Sequence, residues 1–242
     1  MTTHRLVRDA AVCVPASQAA AYRARVEGVE VVAHPDDLKG KAGKLNWWFD
    51  HHEDACVVFL DDDLVALRRC WLPRGQGDFD IRDPDHVMAV IEGTAILAAD
   101  MGAKVFGFAT SARNATMHRV MQPFALHGFL NGTGYGFRRG HGLRFDLRLT
   151  AKADYDISCQ AIYRHRYCLR NDRYAWVTRD TFTAGGGSAT RRNSVTEKAD
   201  IALLRRKWGD VVKVKEDVGY RAGLMGRKNR AGTMAVELSF PL

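Results

Sequence analysis

The sequence predicts a single α/β domain with a mainly parallel central sheet flanked by helices. Three observations lead to this prediction. The 242 residues suffice for one large core, 46% hydrophobic and 26% charged residues are ordinary for a folded chain, and apolar runs alternate with helix-favouring segments over the first hundred residues. The composition argues against disordered, collagen-like and coiled-coil proteins.

The first elements have β-α-β spacing. An apolar run at residues 10–14 is stopped by Pro15, a helix-favouring segment covers residues 18–26, and a second apolar run at residues 29–33 ends at His34. We therefore expect two strands joined by a helix.

A third strand is predicted at residues 55–60, after a polar stretch at residues 39–44 and an amphipathic helical segment at residues 45–49. It has no polar alternation, which is typical of a strand buried on both faces. It runs directly into three aspartates, residues 61–63, and a further predicted strand at residues 64–72 follows.

Apolar spacing predicts a helix at residues 85–100 and a strand at residues 104–109. Beyond this strand the chain consists of aromatic and basic segments punctuated by glycine. Two more helices are predicted there, at residues 155–167 and at residues 195–208, the second closed by Gly209. Since no linker is long enough to separate two domains, we expect two lobes on one core.

The three aspartates are the most informative feature. In open α/β sheets ligands collect at the carboxyl ends of strands, and hard divalent cations bind carboxylate oxygens together with phosphate oxygens. Asp61 and Asp63 are therefore candidate ligands of a metal diphosphate, and a solvated acidic turn is the alternative. Adjacent like charges repel unless a cation or hydrogen bonds offset them, which favours the metal site.

Asp154 and Asp156 are candidates for the acid or base step of a reaction at a hydroxyl group. A carboxylate within about 3 Å of an attacking hydroxyl oxygen can take its proton. The alternative is that one of them only caps the predicted helix, because Asp is a favoured N-cap residue.

The polar stretch before the third strand holds three lysines, namely Lys39, Lys41 and Lys44. Lys44 is a candidate contact of a diphosphate, because a cation near a diphosphate gains Coulomb energy in a partly dry cleft. A solvated loop is the alternative for all three.

A glycine-rich segment at residues 185–188 is a candidate phosphate or sugar contact, because no Cβ shields the backbone N–H groups of Gly186 and Gly187. An ordinary flexible loop is the alternative. Arg191 and Arg192 follow, and they suit either the donor diphosphate or DNA phosphates.

The net charge of +8, with 36 Lys and Arg against 28 Asp and Glu, favours polyanionic partners. The basic excess lies in the second half of the chain. Aromatic residues interleaved with it suit stacking on an exposed base, although core packing is the commoner role of such side chains. They are Tyr163, Tyr167, Tyr174 and Trp176.

Several of these segments resemble the nucleotide-binding half of GT-A glycosyltransferases. They are the strand before Pro15, the strand ending at His34, the sequence GKAGKLN at residues 40–46, and VVFLDDD at residues 57–63. In that family the DxD aspartates bind Mn²⁺ or Mg²⁺ on the diphosphate of a nucleotide sugar.

The second half resembles the TET/JBP-associated glycosyltransferases, which occur largely in bacteriophages and are thought to add sugars to hydroxymethylated pyrimidines in DNA. The matching segments are KADYD at residues 152–156, AGGGS at residues 184–188, the Arg191–Arg192 pair and RKWG at residues 206–209. The chain departs from the family at Ala153, where a glutamate is common.

The resemblance implies a GT-A-like (Rossmann-like) single domain over residues 1–242, with a nucleotide-sugar-binding lobe (1–110) and an acceptor-binding lobe (111–242). It implies that Asp61 and Asp63 bind Mn²⁺ or Mg²⁺ and that Asp62 lies nearer the ribose. The other donor-binding candidates are Pro15, Ala16, His34, Lys44, Asn46, Gly186, Gly187, Arg191 and Arg192.

The expected function is metal-dependent transfer of a hexose or pentose from a nucleotide sugar, a UDP-sugar, to the hydroxyl of a 5-hydroxymethylpyrimidine in phage DNA. Three alternatives stay open: a glycosyltransferase with a non-DNA acceptor, a metal-dependent nucleotidyltransferase or nuclease, and a non-catalytic nucleic-acid-binding module.

We expect a cytoplasmic protein, in the host cytoplasm if a phage encodes it, because no segment reaches the ~18 to 20 apolar residues of a membrane span. The five cysteines are odd in number and contain no CxxC pair. They are therefore predicted to be reduced thiols rather than zinc ligands.

Overall fold

The computed structural model describes residues 2–38, 40–72, 79–110, 122–179, 193–214 and 236–240, which form a mixed α/β structure. Within these ranges no helix is long and apolar enough to cross a membrane. All five cysteines are free thiols, and three of them are buried: Cys70, Cys159 and Cys168.

The predicted β-α-β unit is confirmed. Strand β1 (Ala11–Pro15) leads through helix α1 (Ala16–Arg23) to strand β2 (Glu30–His34), and the two strands pair in parallel. Pro15 lies opposite His34 in the register, so the carboxyl ends of both strands reach the same edge. Helix α2 (Gly40–His51) follows and includes most of the polar stretch that the sequence predicted as a separate segment.

The largest sheet has five strands in the order β3-β8-β6-β9-β7. The strands are β3 (Cys56–Leu60), β6 (Val105–Phe108), β7 (Phe124–Ala125), β8 (Gly134–Arg138) and β9 (Leu169–Asn171). Only β6 and β9 pair in parallel, and the three other pairings are antiparallel. The mainly parallel central sheet is therefore not confirmed among the described strands.

Strand β8 causes this difference, because it runs antiparallel between β3 and β6. The sequence analysis described this region only as a segment punctuated by glycine, but the alternating glycines are needed where two rings pack against the strand. A Cβ on Gly136 would lie 2.1 Å from the ring of Phe106, and one on Gly134 would lie 2.2 Å from Nε1 of Trp176. Such distances are too short for any side chain, so these glycines admit the close packing of the rings.

Two smaller antiparallel sheets complete the strands. In the first, β4 (Leu64–Arg69) lies between β5 (Asp80–Ile81) and β10 (Tyr174–Thr178). The second pairs β11 (Val212–Val214) with β12 (Val236–Leu238).

Three long helices match the predicted ones closely: α3 (Pro84–Asp100), α4 (Ala153–His165) and α5 (Ser194–Trp208). Helix α3 begins at Asp83, whose carboxylate accepts the N–H of His86 at 2.9 Å, and has proline at its first position. Helix α5 ends at Gly209, which has φ of +57°, a conformation that disfavours other residues.

The core lies on both faces of the five-stranded sheet, since successive strand residues point to opposite sides. On one face Leu45 of α2 and Ile157 of α4 join Val105, Tyr135 and Phe137 in one cluster. Helices α2 and α4 therefore cover the same face of the sheet. A second cluster joins α3 to β4 and Phe108, and a third joins α5 to the segment before α4.

Candidate active site

The acidic triplet lies at the carboxyl end of β3, beside the loop that enters β8. The Asp61 backbone N–H donates to the Thr133 carbonyl at 3.0 Å, so the two segments are joined where the strand ends. Asp62 is exposed, and the carbonyl of Asp63 accepts the N–H of Arg179 at 2.9 Å. The acidic triplet therefore lies at the end of an edge strand of the five-stranded sheet.

The N-terminal segment shapes this acidic turn. The buried Thr3 hydroxyl donates to the Asp61 carbonyl at 2.5 Å and accepts the N–H of Leu64 at 3.0 Å, so it bridges the two ends of the turn. The Thr2 N–H also donates to the Asp62 carbonyl at 2.8 Å. With its backbone groups paired in this way, the turn can hold its carboxylates in fixed positions.

A lysine neutralises the first aspartate. Lys41, in the first turn of α2, places Nζ 2.5 Å from Oδ1 of Asp61, and the same ammonium donates to the Gly132 carbonyl. It also lies 5.5 Å from the centre of the Tyr135 ring. The ion pair is partly exposed, with 42% and 38% of the two side chains accessible to solvent.

Asp154 lies on the other side of Gly132, in the first turn of α4. Gly132 donates its backbone N–H to the Asp154 carboxylate, and the Tyr155 N–H donates to Oδ1 of Asp154 at 3.0 Å. A Cβ on Gly132 would lie 3.3 Å from both the Asp154 Cβ and the Tyr135 ring. Glycine therefore lets this loop contact α4 directly.

We call Lys41, Asp61, Gly132 and Asp154 the acidic site. Withdrawal from water raises the pKa of the Asp154 carboxyl to about 6, an effect that the positive charge of Lys41 and the N–H donors partly offset. Burial raises the pKa of the Tyr135 hydroxyl well above its usual value, and the charges of Asp154 and Asp61 add to this shift. Near neutral pH the site thus holds an ionised carboxylate beside a neutral phenol.

Comparison with known proteins places the chain in a family. The family model described as TET-Associated Glycosyltransferase matches residues 1–187, which is more than half of the chain and includes every member of the acidic site. The chain belongs to the TET-associated glycosyltransferase family. No curated protein and no solved structure matches it.

Membership of this family makes the protein a glycosyltransferase, in agreement with the resemblance found in the sequence. The match ends before Arg191, Arg192 and helix α5. Together with Gly186 and Gly187, those two arginines also lie outside the described residues.

The second candidate acid or base of this glycosyltransferase, Asp156, is completely buried and faces α5. Its Oδ1 accepts from Trp208 Nε1 at 2.7 Å and from Lys207 Nζ at 2.6 Å, and its Oδ2 accepts from Gln160 at 2.7 Å. Both oxygens are therefore occupied by the protein. The structure does not bring Asp156 to the acidic site.

The donor-binding candidates Pro15, Ala16 and His34 lie together at the carboxyl ends of β1 and β2. The His34 ring is 1% exposed, lies 2.8 Å through Nδ1 from the Pro35 carbonyl, and has its centroid 6.1 Å from that of Trp47 in α2. Because α2 also carries Lys41, this helix links the β1–β2 edge to the acidic site.

Two further donor-binding candidates, Lys44 and Asn46, lie on α2. The Asn46 side chain accepts the Phe145 N–H and donates to the Phe145 carbonyl, both at 2.9 Å. The charge of Lys44 lowers the pKa of Cys13 in β1, although burial raises that pKa by more. It is Lys41, and not Lys44, that contacts Asp61, and the assignment of Lys44 to the donor stays a prediction.

The aromatic candidates divide between core and surface. Trp176 is buried and packs edge-on against Phe108, Tyr174 packs beside the same cluster, and the Tyr167 hydroxyl donates to the Met101 carbonyl at 2.6 Å. Only Tyr163 is largely exposed, at 74%.

Sequence reasoning missed Thr3 and Gly132, and it named Lys41 among three lysines without giving it a contact of its own. Helix α2 begins at Gly40, so Lys41 lies in its first turn. A prediction of that helix start would have placed Lys41 on the helix rather than in a loop. Nothing local marks Thr3 or Gly132, because their partners lie 58 and 22 residues away.

The acidic site contains two carboxylates, those of Asp61 and Asp154. Mg²⁺ is commonly held by one or two carboxylates, with waters and substrate phosphates as the remaining ligands. Within the described residues no group of three His, Cys, Asp or Glu side chains comes together as a complete metal site. Asp61 already holds a cationic group, the Lys41 ammonium, which shows that its carboxylate is placed to receive positive charge.

Proposed function

We propose that this glycosyltransferase moves a sugar from a nucleotide-sugar donor, a UDP-sugar, to the hydroxyl of a 5-hydroxymethylpyrimidine in DNA. Asp61 and Asp63 would bind Mn²⁺ or Mg²⁺ with the donor diphosphate, and Asp154 would take the acceptor proton. One observation carries the proposal: Lys41, which pairs with Asp61, donates to the Gly132 carbonyl, and the Gly132 N–H donates to Asp154 from the other side.

The donor side is supported by the position of three strand ends. Pro15 and His34 end β1 and β2, Asp61 follows β3, and α2 contacts both places through Trp47 and Lys41. A nucleotide laid along α2 would have its base near His34 and its diphosphate near Asp61. The nucleotide-sugar-binding lobe of residues 1–110 and the GT-A-like fold belong to this proposal.

A bound divalent cation supplies charge neutralisation for the leaving nucleoside diphosphate. Lys41 adds a second positive charge at the same place, and its long side chain can move from Asp61 to a phosphate oxygen without a change in the backbone. Asp62 is exposed beside them and would contact the ribose.

The acceptor side is supported by the chemistry of Asp154. A carboxyl whose pKa is about 6 is ionised at neutral pH and is a stronger base than an ordinary aspartate. In the transfer, the acceptor oxygen forms a bond to the sugar, the bond from the sugar to the diphosphate breaks, and the hydroxyl proton passes to an Asp154 oxygen. The electron pair of the broken bond leaves with the nucleoside diphosphate.

The DNA acceptor is supported by the charge along α4. Asp154 begins this helix, whereas Tyr163 and the exposed Arg164 and Arg166 lie at its other end, about 13 to 18 Å away at 1.5 Å per residue. Arginines at that distance can bind the phosphate backbone while one base is presented at the acidic site. The net charge of +8 also favours binding to the negatively charged DNA backbone.

Mass spectrometry tests the proposal directly. The protein is incubated with Mn²⁺, a panel of UDP-sugars, and DNA carrying 5-hydroxymethylcytosine or 5-hydroxymethyluracil. The DNA is then digested and the masses of the nucleosides are measured. We expect a gain of one hexose or pentose that is lost in Asp61→Asn and Asp63→Asn but kept in Asp100→Asn, an exposed carboxylate at the end of α3.

Other outcomes separate the alternatives. Release of UDP without DNA modification would retain sugar-nucleotide chemistry and direct the search to another acceptor. Release of pyrophosphate would identify nucleotidyl transfer instead. Unchanged DNA binding in the double variant Asp61→Asn/Asp63→Asn, with no donor turnover by the wild type, would favour a binding module.

A further inference from the structure

Helix α5 makes an unusual number of buried polar contacts with the segment that begins α4. The Asp200 carboxylate is 2% exposed and accepts three consecutive backbone N–H groups, those of residues 150–152, at 2.7 to 3.1 Å. One turn earlier on α5, the fully buried Glu197 pairs with Lys152 Nζ at 2.7 Å.

These contacts act on the residue that starts α4. Lys152 is the N-cap of α4 and makes no side-chain cap, unlike the Ser, Thr, Asp or Asn usual at that position. Its N–H is held by Asp200, and its carbonyl accepts the N–H groups of Tyr155 and Asp156 at 3.2 and 3.4 Å. Asp200 therefore fixes the backbone two residues before Asp154.

Simple packing does not require this arrangement. The same face of α5 already buries Ile201 and Leu204 against Leu149 and Ala153. Positions 197 and 200 add something that apolar residues could not, because an apolar residue at 200 would leave the N–H groups of residues 150–152 without acceptors and one at 197 would leave the buried Lys152 ammonium unpaired. The Asp200 carboxylate accepts three successive N–H groups and thereby fixes the position of residues 150–152.

We infer that Asp200 and Glu197 are positioning residues, which hold the start of α4 so that Asp154 stays in place at the acidic site. The inference rests on the proposed role of Asp154 as the base. It gives α5, which lies beyond the residues matched by the family model, a part in the reaction although it touches neither Asp61 nor Asp154 in the described contacts. A small displacement of a reacting group is enough to slow catalysis strongly.

The test compares two variants of α5 at the same number of degrees below their melting temperatures. Asp200→Asn replaces one acceptor oxygen with an N–H₂ group that faces the N–H donors. Leu204→Ala removes a buried apolar side chain of the same helix and leaves the polar contacts intact. For Asp200→Asn we expect kcat to fall five- to fiftyfold with the donor KM within twofold of wild type, whereas Leu204→Ala keeps kcat within twofold.

Hydrogen exchange gives a readout that does not depend on activity. In Asp200→Asn the amides of residues 150–152 should exchange at least tenfold faster, with the amides of β3 and β8 unchanged. Glu197→Gln, which leaves Asp200 in place, is the second variant if Asp200→Asn folds poorly, and it should lower kcat in the same direction by a smaller factor.

Equal losses of kcat in Asp200→Asn and Leu204→Ala would overturn the inference, as would faster exchange of residues 150–152 with an unchanged kcat. Asp154→Asn separates the two proposals. Wild-type transfer by Asp154→Asn would overturn the assignment of the base and with it the role of α5. A loss in Asp154→Asn but none in Asp200→Asn or Glu197→Gln would overturn the role of α5 alone.

Discussion

Asp154 and Asp156 lie two residues apart in the first turn of the same helix, and they have opposite surroundings. Asp154 faces the acidic site, and among the described residues it receives the backbone N–H groups of Gly132 and Tyr155. Burial disfavours its charge and raises its pKa to about 6. Asp156 faces α5 and has a lysine ammonium, an indole N–H and an amide on its two oxygens. The comparison shows that packing, rather than residue type, decides which carboxylate is available for chemistry.

The largest effect that this comparison predicts is on the transfer rate of Asp154→Asn. Loss of a general base typically costs about 10²- to 10⁴-fold in rate. The folded protein opposes ionisation of Asp154, so removing this charge should leave the melting temperature unchanged or raise it. Single-turnover transfer and thermal melts measure the two quantities, and a full transfer rate would show that Asp154 is not the base.

Asp156→Leu should behave in the opposite way. Removing one partner of a buried ion pair costs about 3–5 kcal/mol, because Lys207 and Trp208 lose their acceptor. Urea denaturation measures this loss, and below the transition the folded protein should keep at least a tenth of the wild-type rate. The comparison fails if Asp156→Leu is stable but inactive, since Asp156 would then be the functional carboxylate.

The pH dependence of transfer sharpens the comparison further. Asp154 must be ionised to accept a proton, so the rate should fall as pH drops through about 6. The Lys41 charge lowers the pKa of Asp154, and Lys41→Met should therefore move this acid limb to higher pH. Arg8→Met removes an exposed cation that pairs with Asp85 and is the matched control. A limb that stays in place in Lys41→Met would show that another group controls it.

Much of the fold was predictable from local sequence patterns. Helices α3, α4 and α5 and strands β1, β2 and β3 lie within a few residues of their predicted positions, because each has a clear apolar period and a cap or breaker. Strand β8 was not predicted, since its alternating glycines match a turn, and their reason is the distant rings of Phe106 and Trp176. Because β8 pairs antiparallel with both β3 and β6, the prediction of a mainly parallel sheet was not confirmed.

The candidate site was predictable to a smaller extent. The acidic triplet stands out in the sequence because adjacent like charges at a strand end repel unless a partner offsets them, whereas Asp154 could equally have been only a helix cap. The contacts of Lys41 and Thr3 with the acidic turn depend on chain segments 20 and 58 residues away. No local pattern distinguishes Asp154 from Asp156, because the difference comes from α5, whose contacts with α4 are set only when the helices pack.

The smallest predicted effect concerns Asn46, a donor-binding candidate whose side chain is held by the Phe145 backbone in the same way that Asp156 is held by α5. Asn46→Ala should cost about 1–3 kcal/mol in stability, because it leaves a backbone N–H and carbonyl without partners. If the side chain serves only this contact, the donor KM should change less than threefold. Urea denaturation measures the free energy of unfolding, and donor titration measures KM. A large rise in KM at unchanged stability would show that Asn46 binds the nucleotide, although both of its polar atoms are engaged by Phe145.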